Sequence, residues 1–245
     1  MESIAQPKDQ IPEMDHSSVI RVALVDDQAL VRSGLAMVID SQDDMQVVAE
    51  AGDGQQALNR LALIPTDVVL MDVRMPVMDG IETTEKIVAS HFAHGVQPKI
   101  IVLTTFDLDE YVMSAIEAGA SGFLLKDAPP DDLLTAIRTI HKGDAVIAPS
   151  STKRLVAHIA ASAAQKRLIN PQLLDGLSER ELQVLGLAAR GKSNTEIAEE
   201  LFLAEATIKT HVGRIFAKLG VRDRVQAVVV AFQAGLVKPG ETDLD

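Results

Sequence analysis

The chain has 245 residues, 47% of them apolar, and a formal net charge of −12. At roughly 100–200 residues per domain, that length holds one or two domains. The absence of cysteine excludes disulfides and thiolate metal sites, and no apolar run approaches the ~18 residues of a membrane span, so a cytoplasmic protein with no membrane partner is expected.

The charge is unevenly spread. Residues 150–245 carry 13 Lys and Arg against 11 Asp and Glu, a balance of +2, which leaves −14 on residues 1–149. An acidic front and a mildly basic rear suggest two domains with different partners. Residues 1–19 are polar, contain Pro7 and Pro12, lack the layout of a signal peptide and read as a disordered tail.

Ile20 to Val25 reads as a short apolar strand with Asp26-Asp27 at its end. Leu30, Val31, Leu35 and Val38 then recur at helical spacing. Gln46 to Ala51 is a second strand, and Asp53-Gly54 starts a helix reaching about Ile64. Val68 to Met71 is a third strand with Asp72 at its tip; Met75-Pro76 and Asp79-Gly80 are turn signals, and a helix follows from about Gly80 to Ser90. Ile100 to Thr104 is a fourth strand, Asp109 to Gly119 a helix, and Gly122 to Leu125 a fifth strand ending in Lys126-Asp127. Pro130 to Lys142 closes the unit, with proline at the helix start, where its missing N–H costs nothing. Strict strand–helix alternation implies an α/β fold, a doubly wound five-stranded parallel sheet over residues 20–142.

All strand C-termini of such a sheet share one edge, where open α/β sheets place their ligand site. Asp26, Asp27, Asp72, Thr104 and Lys126 therefore meet there. Singly, each has an ordinary reading as a turn carboxylate, a β-former or a surface lysine. Together, three carboxylates repel unless one is protonated or a divalent cation lies between them. Hard oxygen donors without Cys or His favour Mg²⁺. A carboxylate can attack a phosphoryl group, with Lys126, the Thr104 hydroxyl and Mg²⁺ offsetting the charge on its oxygens.

Val-Asp-Asp at 25–27, Met-Asp-Val-Arg-Met-Pro-Val-Met-Asp-Gly at 71–80, Leu-Thr-Thr at 103–105 and Leu-Lys-Asp at 125–127 resemble the receiver domain of two-component response regulators. The resemblance implies that Asp72 is phosphorylated by a partner sensor histidine kinase. It implies Asp27 and Asp72 as direct Mg²⁺ ligands, Asp26 through water, and the backbone carbonyl of Arg74 as a further ligand. Thr104 would be the switch hydroxyl, and Phe123 matches the switch aromatic, with plain core packing as the alternative.

Residues 143–172 form a linker with Gly, Pro and Ser at its start, and Thr152 to Leu168 reads as a helix with a partial apolar stripe. Residues 173–238 read as an all-α four-helix unit. Ser178 and Glu181 form a capping box, and that helix runs to Arg190, where Gly191 stops it. Ser193 or Asn194 caps Thr195 to Leu201; Glu205 to Leu219 is the third helix and Arg222 to Ala234 the fourth. Two helices joined by a short turn suggest helix-turn-helix. The stretch Thr207 to Arg224 has a balance of +4. Ile208, Val212, Ile215, Phe216 and Leu219 make its apolar face, while Thr207, Lys209, Thr210, Gly213 and Arg214 face a major groove. An ordinary amphipathic surface helix is the bland alternative. Residues 239–245 are a tail.

Leu-Ser-Glu-Arg-Glu at 177–181, Ser-Asn-Thr-Glu-Ile-Ala at 193–198, Ala-Thr-Ile-Lys-Thr-His-Val at 206–212 and Lys-Leu-Gly-Val-Arg at 218–222 resemble the LuxR-type DNA-binding domain. With the receiver, the chain is similar to the NarL/FixJ class of response regulators. The resemblance implies Lys209 and Thr210 at the groove floor and Asn194 and Thr195 near phosphates of promoter DNA. Gly213 stands where relatives often carry a side chain. Part of the fourth helix, among Val225, Val228, Val229 and Phe232, would pair with a second copy, making a homodimer when phosphorylated or DNA-bound; the rest closes the domain's own core.

The reading is a non-enzymatic regulator. A phosphoaspartyl hydrolase would commonly need a second Asp two residues after the nucleophile, where this chain has Arg74. A ligand-gated or phosphorylation-independent DNA binder would not require Asp26, Asp27, Asp72, Thr104 and Lys126 all to be present.

Overall fold

The computed structural model describes residues 19–104, 114–142 and 170–237. The N-terminal tail through residue 18, residues 109–113 of the expected Asp109–Gly119 helix, the linker helix and the C-terminal tail lie outside the described residues.

Strands β1 (Ile20–Val25), β2 (Met45–Ala51), β3 (Val68–Asp72), β4 (Lys99–Thr104) and β5 (Gly122–Leu125) form one parallel sheet in the order β2-β1-β3-β4-β5. Helices α1 (Ala29–Asp40), α2 (Gly54–Leu61), α3 (Gly80–Ala89) and α4 (Pro130–His141) flank it. Side chains alternate across the sheet with a period of two. Ala23, Val25, Val69, Met71, Ile100, Val102 and Phe123 enter one core. Val22, Leu24, Val68, Leu70, Ile101, Leu103 and Leu124 enter the other, under Leu133, Leu134, Ile137 and Ile140 of α4. Burial on both faces explains why these strands read as continuous apolar runs.

Helix α2 stops at Leu61, short of the expected Ile64. Pro65 follows Ile64, and the residue before a proline is driven out of helical backbone.

The rear domain holds α5 (Glu179–Ala189), α6 (Asn194–Glu200), α7 (Glu205–Leu219) and α8 (Arg224–Gln233), preceded by a 3-10 turn at Pro171–Leu174 that the sequence reading did not anticipate. The capping box at Ser178 and Glu181 is present, and a second one joins Ser193 and Glu196. Gly220 closes α7 in the left-handed conformation, φ 67°. Helix α8 starts two residues later than Arg222, because the Asp223 carboxylate caps it by accepting from the Gln226 amide. The apolar cluster on the α2/α3 face is continuous with the core of this domain.

Candidate functional site

Strands β1 and β3 are neighbours, while the connections after them leave in opposite directions along the sheet, which opens a crevice at their C-terminal ends. Asp26 and Asp27 enter it from β1, Asp72 from β3, Thr104 from β4 and Lys126 from the end of β5. Each of Asp26, Asp27 and Asp72 offers an oxygen, and these lie within 4.8 Å of one another. Asp26 and Asp72 are buried and Asp27 is exposed. Lys126 Nζ lies 2.7 Å from Asp26 Oδ2 and 2.8 Å from Asp72 Oδ2. Thr104 is buried, and its carbonyl accepts from the Lys126 amide at 2.8 Å.

Burial raises the Asp72 carboxyl above its ordinary pKa, and the Asp26 charge adds to this, against hydrogen bonds from Lys126 and the Arg74 amide. For Lys126, burial is the largest single influence and disfavours the ammonium. Hydrogen bonds to Asp26 and Asp72, with the attraction of both carboxylate charges, together outweigh it, and the pKa is raised. The pocket thus presents one half-buried cation to several carboxylates, with hard oxygen donors grouped closely enough for a small divalent cation.

Local backbone supports the pocket. A Cβ on Gly80 would stand 1.9 Å from the Asp72 carbonyl oxygen, so only glycine lets α3 begin against the end of β3. Val77 has φ 69°, with the Met78 amide bonded to the Pro76 carbonyl at 2.8 Å. A β-branched residue with that φ stores strain of about 1–3 kcal/mol, in the loop that leads from Asp72 to α3. Leu30 and Met37 of α1, the helix that follows Asp27, are 86% and 73% exposed. Phe123 is packed in the core at 4% exposure.

On α7, Thr207, Lys209, Thr210, Gly213 and Arg214 are all exposed, opposite buried Ile208 and Ile215. No atom lies within 4 Å of a Cβ added at Gly213, so no packing inside the chain demands glycine there. Thr195 is exposed, but Asn194 is buried, its Oδ1 accepting from Arg224 Nη1 at 3.1 Å. As the first residue of α6, Asn194 is turned toward α8 rather than outward. Val225, Val228 and Phe232 are buried within the domain core, and Val229 is half-buried. Their apolar spacing therefore serves this chain's own packing.

One residue escaped the sequence reading. Glu205, at the start of α7, is 2.8 Å from Lys209 Nζ and accepts from the Thr195 hydroxyl at 3.2 Å. The i,i+4 spacing of Glu205 and Lys209 was the available signal.

Two family models match the chain: the response regulator receiver domain over residues 22–138, and the bacterial regulatory proteins of the luxR family over residues 175–231. The uncharacterized transcriptional regulatory protein YxjL of Bacillus subtilis is 43% identical over 219 residues, 89% of this chain and 98% of that protein. The transcriptional regulatory protein LiaR of the same organism is 40% identical, over 89% of this chain and 100% of its own length. Among solved structures, one of two RcsB dimers bound to two parallel DNAs is similar at 26% identity and a TM-score of 0.50, covering 88% of this chain and 98% of that one. Both domains and nearly the full length of these relatives are represented, so the chain belongs to the two-component response regulators that join a receiver domain to a LuxR-type DNA-binding domain, and it is a transcription regulator.

Proposed function

We propose that Asp72 accepts a phosphoryl group from a sensor histidine kinase, and that this controls homodimerisation and promoter binding by the rear domain. The observation that carries the reading is the convergence of Asp26, Asp27, Asp72 and Lys126 at one sheet edge. An Asp72 oxygen forms the new bond to phosphorus while the phosphohistidine P–N bond breaks and the imidazole leaves. Lys126 and the Thr104 hydroxyl meet the phosphoryl oxygens. Receiver domains bind Mg²⁺ at an acidic pocket of this kind. Here Asp26, Asp27, Asp72 and the Arg74 carbonyl would hold it, and the ion supplies positive charge to the transferring oxygens. The exposed apolar side chain of Leu30, in the first turn of the helix that leaves that edge, suits the docking of a protein phosphodonor, with exposed Met37 two turns further along the same helix.

The DNA contacts we assign are Thr207, Lys209, Thr210 and Arg214 on α7, with Thr195 at a phosphate and the Gly213 backbone close to the duplex. Among the described residues no helix is long and apolar enough to cross a membrane. Residues 20–142 and 173–238 serve as the two functional units, joined by the linker.

The test is phosphoryl uptake from a small acyl phosphate with Mg²⁺, read on a phosphate-affinity gel. The wild-type chain shifts and Asp72→Asn does not. Full labelling of Asp72→Asn would overturn the assignment.

A further inference from the structure

Strand β1 ends at Val25, and the chain turns into α1 through Asp26, Asp27 and Gln28. Asp26 is buried and held on every side. Its Oδ1 accepts from the Gln28 amide at 2.8 Å, and its Oδ2 lies 2.7 Å from Lys126 Nζ. Its amide extends the sheet by donating to the Ala51 carbonyl at 3.1 Å. Its own carbonyl accepts from a side chain: Arg32 Nη1 donates to it at 2.6 Å.

Arg32 stands on α1, half-buried, one turn after the Asp26-Asp27 corner. Its Nε reaches the other way and lies 3.4 Å from Glu50 Oε2 on β2. Glu50 is the register partner of Leu24 on β1. One planar guanidinium thus ties the start of α1 to the end of β1 and to the neighbouring strand. Arginine suits this task because its donors form a rigid fork. The usual local fixings of a helix start are missing here. Gln28 makes no side-chain cap bond, and the first turn of α1 holds no acidic residue.

The Asp26 carbonyl belongs to the peptide that joins Asp26 to Asp27. Peptide groups are planar, so holding that C=O direction constrains ψ of Asp26 and φ of Asp27 together. Those angles set where the Asp27 carboxylate points. Asp27 is the exposed member of the three clustered carboxylates, so packing fixes it least and its backbone matters most.

We propose that Arg32 is a positioning residue for the cation site: through the Asp26 carbonyl it holds the Asp26–Asp27 peptide so that both carboxylates face one divalent ion. This rests on the Mg²⁺ reading given above and does not require that Asp72 accept a phosphoryl group.

The direction of the effect separates positioning from charge. A guanidinium acting only through its charge opposes a nearby cation, so its removal would tighten Mg²⁺ binding. Acting through the peptide, its removal frees Asp27 and weakens binding. Groups that orient metal ligands from behind are worth about 10–100-fold in affinity.

The test is calorimetric titration of the full-length chain with Mg²⁺ alone, without a phosphodonor and well below the Tm. Arg32→Met keeps an unbranched stem for packing and removes the donors. Its Mg²⁺ Kd should rise about tenfold. Arg32→Lys, which keeps a cationic donor on a stem of similar length, should recover most of that loss. Binding by Arg32→Met as tight as the wild type, or tighter, overturns the proposal. So does an Arg32→Lys chain no better than Arg32→Met. A wild-type chain that binds no Mg²⁺ overturns the metal reading and this proposal with it, whereas a failure of phosphoryl uptake at Asp72 leaves the titration result standing.

Discussion

Lys126 Nζ lies 2.8 Å from Asp72 Oδ2, although β4 stands between the strands that carry them. Neighbouring strands are ~4.8 Å apart, so this ion pair spans two strand widths. A long, unbranched cation can cover that span and leave its charge between Asp72 and Asp26. Lys126→Ala is expected to slow phosphoryl uptake from a small acyl phosphate by about a hundredfold, the lower end for removing a preorganised transition-state contact. Uptake at the wild-type rate would remove Lys126 from the chemistry.

Bringing carboxylates together is costly until a cation joins them, so Mg²⁺ should bind the folded receiver and not the unfolded chain. At free Mg²⁺ ten times its dissociation constant, linkage gives about 1.4 kcal/mol. Calorimetry should show a Tm that rises with Mg²⁺ in the wild type. Asp27→Ala, at an exposed position, should abolish the rise while leaving the metal-free Tm close to the wild-type value. An equal rise in both proteins would place the ion elsewhere.

Glu181 is buried, and its carboxylate accepts from Lys218 Nζ and from the Ser178 amide and hydroxyl. The Lys218 hydrogen bond, then the Ser178 amide, hold its pKa down to about 2 from 4.5. A depressed carboxyl pKa stabilises the fold above its unfolded value and loses that contribution as pH falls toward the folded one. The Tm gap between wild type and Glu181→Gln should be constant above about pH 5 and shrink between pH 4.5 and 2. A gap that does not change with pH would mean the ion pair contributes nothing.

Glu205 holds Lys209 and Thr195, two of the groups assigned to DNA. A carboxylate there competes with phosphate for Lys209. Lys209→Ala should weaken DNA binding and reduce the slope of log affinity against log salt by about 1. Glu205→Gln should strengthen binding at every salt concentration. Mobility-shift titrations from low to moderate salt separate the two, and weaker binding by Glu205→Gln would show that the carboxylate itself reads a base.

Local order was legible along the chain because it rests on neighbours. Largely apolar runs of four to six residues, each closed by a polar residue, marked four of the five strands, and strands buried on both faces are apolar on both. Since such strands end on the same side, Asp26, Asp27, Asp72, Thr104 and Lys126 could be placed together before any coordinate. The capping box at Ser178 and the glycine stops were readable for the same reason: each is settled within one helical turn.

The tertiary structure decided what depends on distant partners. Asn194 carries the same side chain whether it faces DNA or Arg224, and only the placement of α8 turned it inward. Val225, Val228 and Phe232 have a spacing that suits a dimer seam or a private core, and packing against this chain's own helices chose the core. Lys99 meets Arg222 across 123 residues. Periodicity of 2 or 3.6 residues carries no information about a contact of that separation, because it arises when two finished domains dock and not when either one forms.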